Sequence, residues 1–106
     1  MPRIVYLSGK LTARHGPVQG LVRCTPERLW VVEGTTTWAS LAPDAPLDHT
    51  GEFAVALTPT DTDAVPWHYL IETPAGAYRV ELPWREQMYH LRELIDAHRA
   101  VPRTPH

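Results

Sequence analysis

Residues Leu47 to Leu82 read LDHTGEFAVALTPTDTDAVPWHYLIETPAGAYRVEL, and this stretch decides the fold. A turn from Asp48 to Gly51 leads into an alternating strand. Phe53, Val55 and Leu57 fall on one face of it. After a Thr/Asp/Pro loop over 58–66, Trp67, Tyr69 and Ile71 share one face of a second strand. A Pro74-Ala75-Gly76 turn then opens a third, on which Tyr78, Val80 and Leu82 share a face. Side chains two apart point the same way in a strand, so these residues can line one core. None of the three segments offers an obvious catalytic group. The stretch therefore points to a binding or assembly module.

The rest of the chain extends this pattern in both directions. Residues 4–12, 21–25, 29–33 and 35–39 read as strands or extended links, rich in β-branched and aromatic side chains. His15-Gly16-Pro17 supplies a turn, Pro26 ends the second strand, and 42–46 reads as a Pro/Asp loop. The period changes near the end. Met88, Leu91, Leu94, Ile95 and His98 recur at helical spacing, which predicts a helix over 85–100 that Pro102 stops. The expected architecture is mainly β: a small antiparallel β-sandwich over 1–83, with one C-terminal α-helix over 84–100 packed on or beside it. A polar, Pro-rich tail follows over 101–106.

The chain has 106 residues, enough for one domain with one core. Its formal net charge is −2 and its pI is about 6.3, which argues against a nucleic-acid partner. Eleven prolines, one lysine and no asparagine give it the bias of a GC-rich coding sequence. Cys24 is the only cysteine, so no intrachain disulfide can form, which suits a chain made in a reducing cytoplasm. No segment approaches the roughly 18 apolar residues of a membrane span.

The residue types that carry chemistry are present without the spacing that chemistry needs. Six histidines invite a metal, but no HxH, HExxH or CxxC pattern occurs, and His90 and His98 lie two helical turns apart. Asp61-Thr62-Asp63 resembles a piece of a calcium loop that lacks the glycine and the distal glutamate. Ser8, Ser40 and Thr35 are hydroxyl candidates, and none sits in a GxSxG elbow. The expectation is a protein that is not an enzyme, with no cofactor and no metal. Trp38 and Trp84 are better candidates for contact, Trp30 a weaker one, because Trp and Arg anchor interfaces. The candidate interface is Trp38, Trp84, Arg85, Tyr89, Arg92, Arg99 and Arg103.

Taken in order, these motifs resemble a small β-sandwich domain of minor tail proteins from bacteriophages that infect actinobacteria. The resemblance rests on Val22-Arg23-Cys24-Thr25-Pro26, then Leu47, Asp48, Gly51 and Phe53. It continues through Thr60, Asp61, Pro66, Trp67 and Tyr69, then Tyr78, Val80, Leu82 and Pro83, and closes on Leu91, Leu94 and Ile95. The closing segment departs by reading as a longer, more regular helix. The resemblance implies a virion structural protein, most simply a minor tail protein at the tail tip that acts as an adaptor or decoration. Its partners would be other tail or virion proteins in a symmetric multi-chain assembly, with host cell-envelope glycan as a further candidate. A capsid decoration protein and a carbohydrate-binding module for cell-wall glycan are the alternatives. The glycan reading expects Trp38 or Trp84 exposed beside polar groups.

Overall fold

The computed structural model describes residues 3–62 and 65–99, the last three by backbone alone. It is mainly β. The strands are β1 (Val5–Lys10), β2 (Thr12–Ala13), β3 (Gly16–Pro17), β4 (Leu21–Pro26), β5 (Trp30–Glu33), β6 (Thr36–Ala39), β7 (Asp44–Pro46), β8 (Glu52–Leu57), β9 (Tyr69–Thr73), β10 (Gly76–Val80) and β11 (Tyr89–His90). One helix, α1 (Leu91–Arg99), follows.

Two sheets form the sandwich, in the orders β11-β1-β8 and β10-β9-β4-β7. Their inner faces follow from strand alternation. In the first sheet Val5 pairs with Leu57, and Leu7 sits between Val55 and Tyr89. In the second, Cys24 pairs with Ile71, and Tyr69 lies between Pro26 and Val80. Apart from Pro26, both sets belong to one buried cluster. Eight of the nine residues that the 47–82 pattern assigns to the inside are buried, and Tyr78 is half-buried against the same cluster. Each such side chain contributes about 1.5–3 kcal/mol by leaving water.

Four local expectations are corrected. The first strand stops at Lys10, because the chain turns out of the sheet at Leu11. The Leu11 N–H donates to the Gly51 carbonyl (2.8 Å) and its carbonyl accepts from Val18 (3.0 Å). Beyond it β2 and β3 form a small ribbon about the turn at residues 14–15. The expected loop at 42–46 contains β7, which pairs with β4 through Val22–Ala45. Trp67 and His68 precede β9 rather than opening it, although Trp67 is still buried.

The fourth correction concerns the helix, which starts at Leu91 rather than Arg85. The Arg85 guanidinium donates to the carbonyls of Gln87 (3.1 Å) and Met88 (3.1 Å), holding 85–88 in a bend. Tyr89 and His90 then join β1 as a parallel edge, the one parallel pairing among the described strands. Glu93 accepts the His90 N–H at 2.9 Å, a cap that fixes the helix start and keeps this carboxyl ionised below its usual range. Met88 is consequently exposed instead of lying on the helix stripe. Leu91 is buried, and Leu94 and Ile95 pack partly on the core, so the helix lies on the sandwich by its apolar face. Gly9 makes this close approach feasible. A Cβ there would stand 2.6 Å from the Phe53 ring and 3.0 Å from Leu91 Cβ.

Three hydroxyl-bearing residues satisfy buried backbone where the strands end. The Tyr69 hydroxyl donates to the Leu41 carbonyl (2.7 Å) and accepts from the Thr58 N–H (3.0 Å), while Thr58 Oγ1 accepts the Leu41 N–H (2.9 Å). Burial pushes the Tyr69 phenol up to about 12, so it stays a donor. Thr60 Oγ1 likewise accepts the Leu82 N–H (2.8 Å). These bonds explain how a Thr-Pro-Thr run can lie inside.

Candidate interaction surface

The hairpin of β5 and β6 stands apart from both main sheets. Its register pairs Trp30 with Ala39, Val31 with Trp38, Val32 with Thr37, and Glu33 with Thr36. Directly paired residues share a face. Val31 is fully buried and Trp38 packs against the core, so that face is turned inward. Trp30, Val32, Thr37 and Ala39 are on the other face and are exposed. Trp30 is 61% exposed and Leu29, just before it, 69%. The Ser40 N–H donates to the Leu29 carbonyl (2.9 Å), closing the base of the hairpin. The result is a largely apolar face, uncharged among the described strand residues, held on a two-stranded ribbon. Such contiguous exposed apolar groups mark contact surfaces.

The residues expected at an interface divide into three groups. Trp38 is half-buried, and its indole N–H has no hydrogen-bond partner among the described residues. Tyr89 is corrected: it is 7% exposed, a core residue in β11, and its hydroxyl donates to the Pro83 carbonyl at 2.6 Å. Arg85 stacks over the Tyr89 ring at 3.7 Å and pairs with Glu93, so it serves the bend before the helix. Trp84 remains 38% exposed, but the Arg3 guanidinium lies over its ring at 4.4 Å. Arg92 is on the open side of the helix, 3.7 Å from Asp96. Arg99 is in the helix with its side chain beyond the described atoms, and Arg103 and the 101–106 tail lie outside the described residues. Of the two tryptophans on which the glycan reading rests, Trp38 is tucked inward, whereas Trp84 stays exposed with the Arg3 guanidinium over its ring. By sequence Trp30 is the weakest of the three tryptophan candidates, yet it is the most exposed tryptophan. A signal was available: Leu29-Trp30-Val31-Val32 is apolar without alternation, and such a run suits a strand covered on both faces.

A cleft of about 880 Å³ lies between the end of the first sheet and α1. Leu11, Phe53, Leu91 and Ile95 give it apolar walls, and the Lys10–Glu52 and Arg92–Asp96 pairs flank it. Ser8 Oγ is 3.0 Å from His90 Nδ1, as the Ser8–His90 register dictates. In the tautomer with Nδ1 unprotonated, the hydroxyl donates to the ring. Among the described residues no carboxylate lies within ion-pair distance of that ring, and Glu93, which interacts with it electrostatically, is bonded instead to the His90 N–H and Arg85.

On the second sheet, Glu27 gathers three groups. Arg79 donates to it from Nε (2.8 Å) and Nη2 (3.2 Å), the His68 N–H donates at 2.9 Å, and His68 Nδ1 lies at 3.3 Å. His68 Nε2 is 3.1 Å from Glu81. The Arg79 hydrogen bonds, first of all, hold the Glu27 carboxyl below its ordinary range. This cluster ties the residue after β4 to the segment before β9 and to β10 and its end. Burial pushes the Cys24 thiol up to about 12, and Asp44 adds to it, so the thiol is protonated and unreactive at neutral pH. No group of three or more His, Cys, Asp or Glu that could hold a metal occurs among the described residues. No helix among them is long and apolar enough to cross a membrane. No protein-family model matches the chain, and no curated protein matches it either.

Proposed function

We propose that this chain is a structural component of a bacteriophage particle, a minor tail protein at the tail tip that works as an adaptor. It acts through contact surfaces rather than through a reaction. The observation that carries this reading is the β5–β6 hairpin, which presents Leu29 and Trp30 outward from a sandwich whose own core is closed. An adaptor requires that combination: a fold that is stable without its partner, and an apolar patch that a partner completes. The order of the Val-x-Cys-Thr-Pro, Leu-Asp-x-x-Gly-x-Phe and Pro-Trp-x-Tyr elements supports the tail assignment by resemblance. Mass spectrometry and immunogold labelling of purified particles test it. A few copies per particle, localised at the tail tip, are expected. Absence from purified particles would sink the proposal, and tens to hundreds of copies over the head would move the protein to the capsid.

A further inference from the structure

We propose that the outer face of the β5–β6 hairpin is a self-association surface, where a second copy of this chain packs face to face about a two-fold axis. Three observations select this occupant. First, none of the four described strand residues of this face is charged. Trp30, Val32, Thr37 and Ala39 make it up, so apposing two copies brings no like charges together. Second, the face is self-complementary in size. A two-fold axis parallel to the strands and midway between them places each Trp30 over the partner's Ala39. It also places each Val32 over the partner's Thr37. Large therefore meets small at the most exposed position, and the Trp30 ring, an aromatic of the kind that dominates interfaces, gains cover. Third, the apolar run at 29–32 has a pattern suited to two covered faces, and the protein's own core covers only the Val31 side.

Size sets the strength of the contact. The face and its Leu29 margin offer roughly 300–400 Å² per copy, about half the ~800 Å² per partner of a standard interface. The free dimer is accordingly weak. It becomes dominant where copies are held side by side at effective concentrations near ~1 mM, as in a symmetric particle.

Sedimentation equilibrium of the full chain from about 1 to about 500 μM tests this. The expected result is a concentration-dependent rise from monomer to dimer mass. Trp30→Ser and Ala39→Arg should each raise the dissociation constant at least ~10-fold, with circular dichroism and thermal midpoint unchanged. Should Trp30→Ser unsettle the hairpin, Ala39→Arg decides alone, since it adds only a surface charge to an exposed position. Trp84→Ser, outside the hairpin, should leave association as in the wild type. A wild-type monomer across the whole range overturns the proposal, as does a dimer that survives Ala39→Arg. A monomer whose tryptophan fluorescence shifts with cell-wall polysaccharide also overturns it, and gives the face to glycan. The contact needs only the purified chain, so its failure leaves the particle reading to be judged by the particle experiment.

Discussion

The 47–82 segment and the 29–41 hairpin are both strand-forming and both rich in large apolar residues, yet they dispose of them differently. In 47–82 the apolar residues alternate, and the structure buries one face: Phe53, Val55 and Leu57 go inside while Glu52 and Ala54 stay out. In the hairpin, Leu29-Trp30-Val31-Val32 does not alternate, and only Val31 is buried. One segment completes its burial within the chain. The other has an apolar face left over, which the fold holds outward. The difference separates residues that build the molecule from residues available to join it to something else.

Substitutions can break or sharpen that contrast. The largest effect is expected at Trp67, buried against Tyr69 with ring centroids 5.1 Å apart. Trp67→Ala should cost about 3–5 kcal/mol in urea unfolding, a large share of the ~5–15 kcal/mol a domain has. A cost below about 1 kcal/mol would show that the segment does not build the core in the way described.

Gly51 comes next. Its φ of +80° favours glycine, and a Cβ there would collide with the Leu11 carbonyl oxygen. Gly51→Ala should therefore destabilise by about 2–4 kcal/mol, measured the same way. Tyr69→Phe keeps the ring but leaves the Leu41 carbonyl and the Thr58 N–H without their partner. That predicts a loss of about 1–3 kcal/mol.

A smaller, pH-dependent effect belongs to Asp48. Its Oδ1 accepts from the Thr50 hydroxyl (2.6 Å) and from the N–H groups of Thr50 (2.8 Å) and Glu52 (3.0 Å). These bonds, the Thr50 hydroxyl first, pull its carboxyl down to about 2. A folded-state pKa below the unfolded value means the contribution is present above about pH 4 and is lost as pH falls toward about 2. Urea midpoints measured across that window should decline, and the decline should be shallower in Asp48→Ala. The smallest stability effect is expected in the hairpin. Trp30→Ser should change unfolding free energy by no more than about 0.5 kcal/mol, because the ring is exposed in the single chain. A loss as large as that at Trp67 would make Trp30 a folding residue and erase the contrast.

Much of the fold was legible because alternation is a local property. The faces of β8 and β10 can be read two residues at a time. The Leu47-Asp48…Gly51-x-Phe53 element was legible as a turn because Asp and Gly suit it. The errors arose where a distant partner decides. Tyr89 falls inside the expected helix, but pairing with Leu7 places it on a sheet edge, and the bend at Arg85 delays the helix to Leu91. Residues 42–46 carry turn residues, yet β4 recruits 44–46 as a strand. Of the candidate surface, Trp84 and Arg92 are exposed, Trp38 and Tyr89 turn inward, and the most open tryptophan is Trp30, the weakest candidate by sequence.

The sequence by itself determined a mainly-β chain with an inward set of large side chains and a helix at its end. Periodicity carries that information without knowledge of neighbours. The tertiary structure decided which apolar residues were left over. Trp30 and Trp38 are eight apart and chemically identical, and although the apolar run at 29–32 sets Trp30's strand apart, it does not say which of that strand's faces meets the core. They part because hairpin pairing sets Trp38 beside Val31 on the face that meets the core, and sets Trp30 beside Ala39 on the face that does not.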